Sequence, residues 1–345
     1  MTVRLSRYTM FIRSCSSAVM SSSPVIVTKT ASNPFNLVHA DLRHLESTIS
    51  LLLQSTVPKL SQISNYYINN SGKRIRPTIL LLLSKATSKS HLVSPSQRKL
   101  GEITEMIHAA SLLHDDVIDN SSTRRNIPST PTAFGNKMSI LAGDYLLAQA
   151  CILLASLNNT DVVKIMSTVI ANLVEGEILQ LSSRTTDFSI YLEKTYLKTA
   201  SLISLASKAA MIVDSRSEEV IHAAEEFGKN LGIAFQLIDD MLDFSNFDLG
   251  KPSNADLKLG LATAPALFAY EEFPELGPLI SRGFGEPGDV ELATNLVLTS
   301  QGISKTKELA RKYIDRAKIA ISSFEGSPAK DGLDEICELV LNREK

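Results

Sequence analysis

The chain has 345 residues and a formal net charge of −2; 44 % of its residues are hydrophobic, 21 % are charged and tryptophan is absent. So even a charge balance argues against a nucleic-acid surface, and no apolar run is read as approaching the roughly 20 residues of a membrane-spanning helix. The 16 glycines and 13 prolines are few for this length, which favours long helices around a sizeable core. Cys15, Cys151 and Cys337 stand apart, odd in number and without CxxC spacing, as expected of a reducing compartment.

The first thirty residues differ from the rest. Arg4, Arg7, Arg13 and Lys29 precede the first acid, Asp41, and serines crowd residues 14–23. This is the composition of a mitochondrial transit peptide, so a leader is expected over 1–30 and a folded domain over 40–345.

From Asp41 onward the apolar spacing is helical. Leu42, Leu45, Ile49, Leu52 and Leu53 fall three and four apart, and the same rhythm predicts helices over 79–86, 103–118, 140–157, 162–181, 190–213, 220–244 and 303–324. Breaks are read at Pro77 and at 88–96, 128–131, 250–252 and 283–288. No segment alternates with period two, so the expectation is an all-α chain forming one large helical domain.

The chemistry-bearing residues follow the helix ends. Gly72-Lys73-Arg74-Ile75-Arg76-Pro77 places three cations ahead of an apolar helix, where Lys offers a mobile charge and Arg a fork for phosphate oxygens. The helix over 103–118 carries His108 and ends in Asp115-Asp116-Val117-Ile118-Asp119; Asp115 and Asp119 lie one turn apart on one face. Arg124-Arg125 come next, in a segment rich in turn formers. A second apolar helix carries Gln236 and ends in Asp239-Asp240-Met241-Leu242-Asp243.

Carboxylates at a helix C-terminus repel one another and the negative end of the helix dipole. Two such clusters facing one cavity would bring six carboxylates together, tolerable only with hard divalent cations. Magnesium pairs carboxylates with substrate phosphates, so a diphosphate substrate is expected. A di-iron bundle, which needs Glu-x-x-His pairs on facing helices, is the structural rival and is set aside.

These residues resemble a known family, the trans-isoprenyl diphosphate synthases, and within it the long-chain polyprenyl diphosphate synthases of ubiquinone biosynthesis. The matching strings are GKRIRP (72–77), MIHAASLLHDDVID (106–119), TRR (123–125), FGNKMSILAGDYLL (134–147), LVEGEILQL (173–181), YLKTASLI (196–203), GIAFQLIDDMLDF (232–244) and LGKPSNADLKLGLATAPAL (249–267). The resemblance implies a helical bundle of the isoprenoid synthase type with a central cavity. It implies that Asp115 and Asp119 ligate two magnesium ions, that Asp239, helped by Asp243, ligates a third, and that these ions hold an allylic diphosphate primer. Lys73, Arg76, His108 and Arg125 match positions that bind isopentenyl diphosphate. Arg124, Lys198, Thr199, Gln236, Lys251 and Lys258 match positions around the primer's diphosphate. A homodimer or heteromer, a mitochondrial location and peripheral contact with the inner membrane complete what the likeness implies. A shorter-chain synthase, making farnesyl or geranylgeranyl diphosphate, and a regulatory subunit of a heteromeric synthase are the alternatives.

Product length is read from the two residues ahead of the first cluster. Short-chain relatives often place Phe or Tyr four or five positions before it; here stand Ser111 and Ala110, which leave the path open. Each buried five-carbon unit contributes roughly 4 kcal/mol, so a steric floor, not affinity, has to end elongation.

Overall fold

The computed structural model describes residues 33–70, 72–244 and 254–343. The leader read over 1–30, and Lys251, lie outside them. The bundle is built from α1 (His39–Leu52), α2 (Ile75–Thr87), α3 (Pro95–Ile118), α4 (Asn136–Ala155), α5 (Thr160–Ser182), α6 (Phe188–Thr195), α7 (Ser201–Ile212), α8 (Glu218–Asp243), α9 (Ala264–Tyr270), α10 (Gly302–Ala320) and α11 (Pro328–Leu341). Among the described residues the only strands are β1 (Thr123–Arg124) and β2 (Ile127–Pro128), an antiparallel pair that period-two reading could not see in so short a stretch.

Local chemistry sets the helix limits. The Ser94 hydroxyl accepts from the Gln97 amide while the Gln97 side chain accepts from the Ser94 N–H, and Pro95 takes the first helical position of α3. Pro77 is not the break it was read to be. It sits in the first turn of α2, where its missing N–H has no helical partner to lose. The run predicted over 190–213 is one rod interrupted by a π-turn, Tyr196–Ala200, between α6 and α7. Such a turn inserts a residue into the helical ladder and commonly marks a working site. Gly176 of α5 lets that turn come close, since a Cβ there would stand 2.8 Å from the Lys198 backbone nitrogen.

α3 is the central rod. Leu100, Ile103, Met106, Ile107, Ala110 and Leu113 are all essentially inaccessible, packed among α2, α4 and α7, each large side chain contributing about 1.5–3 kcal/mol by burial. α8 packs against α7 and α10 in the same way. With α7 touching both, the two helices that end in aspartate clusters are tied into one core.

α4 corrects the reading of apolar runs. It is 20 residues long with a mean hydropathy of 1.7 over its most apolar stretch, long and apolar enough to cross a bilayer by length and composition alone. The physical reason is that it is apolar on two faces: Ala142, Gly143, Leu146 and Ala150 pack inward against the bundle, while Leu141 and Ile152 are exposed.

Candidate active site

Periodicity already separates the three aspartates of each cluster, because the middle one lies about 100° around the helix from the first. Asp115 and Asp119 are partly accessible, whereas Asp116 is fully buried. Its carboxylate accepts from the Tyr67 hydroxyl and from Arg124 Nε at 2.6 Å, and Tyr67 in turn accepts from the Thr130 amide at 2.9 Å. Burial and the neighbouring Asp116 push the Tyr67 hydroxyl up to about 12, so it stays a donor. The expectation that all six carboxylates share the cavity is therefore corrected at the first cluster: Asp116 is an anchor that lines neither cavity described below.

The second cluster has the same plan. Asp239 is exposed and Asp240 is buried, accepting from the Tyr191 hydroxyl at 2.6 Å and from Gln236 Nε2 at 2.8 Å; Gln236 also accepts from Thr199 at 2.8 Å. Asp243 accepts from the backbone amides of Ala255 and Asp256 at 3.0 and 3.1 Å, and so holds the short helix Ala255–Lys258 in place. Arg343, just beyond α11, reaches Asp239 at 2.9 Å and lies over the Phe235 ring.

Two cation-lined cavities flank the clusters. The larger, about 800 Å³, is lined by Lys73, Arg76, His108, Arg125, Glu105 and Arg343 among others. Arg76 meets His108 at 3.1 Å, and burial together with the surrounding arginines holds the imidazole well below its ordinary pKa, as a neutral ring. Arg125 and Asn126 form the two-residue β1–β2 turn with φ of 52° and 64°, the left-handed pair that this hairpin requires and that Asn accepts readily. The Arg125 guanidinium rests on Gly72, where a Cβ would stand 2.6 Å from Nη1. Of the three cations in the basic loop, Arg74 turns inward. It pairs with Glu105 at 2.7 Å and Glu46 at 3.2 Å and donates to the Ile68 carbonyl, so its guanidinium is committed although the residue lines the cavity with Lys73 and Arg76.

The smaller cavity, about 160 Å³, joins the two clusters: Asp119 from the first and Asp240 from the second line it, with Lys194, Lys198, Thr199, Gln236 and Asp256. Lys198 pairs with Glu177 of α5 at 2.5 Å. Burial pushes Asp115 up to about 6 and raises Asp119, and Lys198 draws both back. Burial, then Asp240, pushes Asp256 up to about 8.

Lys73, Arg76, His108 and Arg125 are thus gathered in one cavity and Lys198, Thr199 and Gln236 in the other. Arg124 bridges to Asp116, and Lys258 is exposed at the end of its short helix, outside the smaller cavity's lining. Tyr67, Tyr191, Lys194, Asp256, Glu105 and Arg343 escaped the sequence reading. Each tyrosine stands 49 residues before its aspartate, far beyond any helical period. The Glu-x-x-His spacing does occur twice, at Glu105/His108 and Glu219/His222, so geometry and not absence removes the di-iron rival. Glu105 is taken by Arg74, and Glu219 and His222 are exposed at the opposite end of α8 from its aspartates.

The remaining charge suits a hard divalent cation. Asp115, Asp119 and Asp243 are all raised by burial, the mark of carboxylates short of counter-charge. Among the described residues no three His, Cys, Asp or Glu side chains gather closely enough to enclose an ion.

Two helices that end in aspartate clusters thus meet at a cavity lined by both lysines and carboxylates, and a second cavity is lined by Lys73, Arg76 and Arg125. Residues 57–297 match the polyprenyl synthetase family, to which the chain belongs. The chain is 41 % identical to a probable mitochondrial hexaprenyl pyrophosphate synthase of Yarrowia lipolytica, covering 96 % of this chain and 89 % of that one. It is 45 % identical to the corresponding Neurospora crassa protein, covering 91 % and 82 %. Among solved structures, a Caulobacter crescentus polyprenyl synthase complexed with calcium and isoprenyl diphosphate superposes with a TM-score of 0.82 at 31 % identity, over 90 % of this chain and 97 % of that one. The protein is a prenyltransferase, a mitochondrial polyprenyl diphosphate synthase of the long-chain type, and its family uses a divalent metal to bind diphosphate.

Proposed function

We propose that the chain joins an allylic primer such as farnesyl or geranylgeranyl diphosphate to successive isopentenyl diphosphates, releasing diphosphate each time, and supplies the polyprenyl side chain of ubiquinone. The observation that carries this reading is that two separate cavities each gather cations, Lys194 and Lys198 beside Asp119 and Asp240 in the smaller and Lys73, Arg76 and Arg125 in the larger, one for each diphosphate. Isopentenyl diphosphate takes the larger cavity, where Lys73, Arg76 and Arg125 donate to its oxygens and the neutral His108 ring adds a hydrogen bond without a proton to lose. The primer's diphosphate takes the smaller one, against Lys198, Thr199 and Gln236, with Arg124 and Lys258 nearby and Lys251 assigned from sequence alone.

Asp115 and Asp119 would hold two magnesium ions and Asp239 with Asp243 a third; bound there, the metal neutralises the charge that develops on the departing diphosphate. The side chains do the rest. Lys198 places a fixed positive charge beside the leaving oxygens, where little reorganisation is needed as charge builds. The buried anchors Asp116 and Asp240 hold Arg124 and Gln236 at their posts. The apolar walls of α3, α5 and α7 keep water from the allylic cation, and the proton lost on condensation leaves with the diphosphate, so no side chain is assigned as base.

Chain length fits the same reading. Ala110 is fully buried, and the Ser111 hydroxyl folds back to the His108 carbonyl at 2.9 Å, so neither raises a barrier below the first cluster. The exposed apolar residues Leu141 and Ile152 of α4 and Val174, Ile178 and Leu181 of α5 form the face assigned to a second copy of the chain. The arginine- and serine-rich leader is assigned to import into the matrix. So apolar a product leaves for a lipid phase, and peripheral contact with the inner membrane belongs to the same proposal.

Incubating the purified chain with magnesium, farnesyl diphosphate and labelled isopentenyl diphosphate, then sizing the products, is the test. A ladder ending well beyond 20 carbons, about the product of one addition, is the expected result. Termination at that size assigns the chain to the short-chain alternative, and extension only after a partner is added assigns it to a heteromer.

A further inference from the structure

Lys194 matches none of the motif positions, yet it lines the smaller cavity together with Lys198. It closes α6 just ahead of the π-turn that carries Lys198 and Thr199, so two ammonium groups come off successive turns of one rod onto one cavity wall. Their surroundings differ. Lys198 is engaged by Glu177 at 2.5 Å. Among the described residues Lys194 has neither a hydrogen-bond nor an ion-pair partner; its ammonium lies 5.3 Å from the centre of the Tyr191 ring, whose hydroxyl is committed to Asp240. Asp240, Asp256 and Glu177 act on it from a distance, and burial with the like charge of Lys198 draws its pKa down.

A partly buried ammonium has three N–H groups to satisfy, and leaving them unpaired is costly. The ring face relieves part of the charge but accepts no conventional hydrogen bond. Acceptors arriving with a ligand would complete it. The carboxylates lining the same cavity, Asp119, Asp240 and Asp256, exclude a bare anion without counter-charge, whereas a metal-bound diphosphate brings both charges together.

We propose that Lys194 is a further primer-binding lysine, donating directly to the diphosphate of the allylic substrate, and that it favours the primer over isopentenyl diphosphate because it lines the smaller cavity and not the larger one. This rests on the reading of that cavity as the primer site. The proposed contact is non-covalent and moves no proton.

The full chain is tested with Lys194→Met, Lys194→Arg and Lys198→Met, using magnesium and the non-cleavable analogue farnesyl thiodiphosphate in calorimetry, beside separate KM values for primer and isopentenyl diphosphate. Loss of one charge-assisted hydrogen bond predicts that Lys194→Met weakens analogue binding roughly 10- to 100-fold and raises the primer KM to match, with the isopentenyl diphosphate KM changed less than about twofold. Lys194→Arg recovers most of the binding and shows that the fold tolerates the position. Unchanged analogue binding in Lys194→Met with a clear loss in Lys198→Met overturns the proposal alone. Unchanged binding in both overturns the cavity assignment and the proposal with it. An equal loss for both substrates, or failure of Lys194→Arg to restore binding, assigns Lys194 a structural role and also overturns it.

Discussion

At the first aspartate cluster the inward carboxylate, Asp116, meets a guanidinium; at the second, among the described residues, Asp240 meets only a phenol, an amide and, at 3.5 Å, the Ala264 N–H. Both are buried and both are held by a tyrosine, so hydrogen bonding is provided for equally. Charge is not. The first cluster neutralises its anchor within its own loop, while the second adds a further buried carboxylate, Asp256, and relies on more distant cations such as Arg343 at Asp239. Similar sequence patterns thus produce one buried anchor neutralised by a guanidinium in contact and one that, among the described residues, has no cation in contact.

The largest effects should fall on the residues the clusters have in common. Asp115→Ala and Asp239→Ala are each expected to lower kcat/KM by about a thousandfold or more, in line with losing a metal-borne charge at the transition state, while circular dichroism stays helical. Near-normal turnover in either variant would remove that residue from the metal assignment.

The anchors should separate next. Asp116→Asn leaves Arg124 without its buried partner and is expected to cost about 3–5 kcal/mol in denaturant unfolding. Asp240→Asn removes a charge that has no cation in contact among the described residues and should cost less. Its pH dependence has a definite sign. Burial raises Asp240 from 3.8 to about 6, so its contribution to the stability of the metal-free protein is full below the lower value and is lost as pH rises through the upper one. Asp240→Asn should therefore gain on the parent between about pH 4 and 6, and thermal melts across that window that run parallel would refute the contrast.

The positions one turn before each cluster sharpen the comparison further. Ala110→Tyr or Ser111→Phe should shorten the product, read by chromatography of labelled chains; unchanged length in both would sink the open-path reading. Phe235, four residues before Asp239, lines the larger cavity, proposed for isopentenyl diphosphate, beneath Arg343. Phe235→Ala should raise the KM for that substrate a few-fold, as loss of about 0.5–1 kcal/mol of cation–π stabilisation would, and leave product length alone.

Much of this was legible in the chain. The rods followed from apolar residues three and four apart, and a helix ending in Asp-Asp-x-x-Asp announces two carboxylates on one face because the α-helical repeat allows nothing else. Lys73, Arg76, His108 and Arg125, singled out from sequence strings, line one cavity. The same repeat, applied strictly, would also have set Asp116 apart from Asp115 and Asp119. Pro77 misled because proline ends helices from within but is well tolerated in a first turn, and the sequence does not say which turn it occupies.

What the sequence determined by itself was therefore local: helical period, cluster geometry, the cationic loops and the family they belong to. What only the tertiary structure decided was pairing across distance. Tyr67 with Asp116, Tyr191 with Asp240, Arg74 with Glu105 and Arg343 with Asp239 join residues 31 to 104 positions apart. Such partners are chosen by how the rods pack, and packing depends on burial summed over the whole core, which no single stretch of sequence carries.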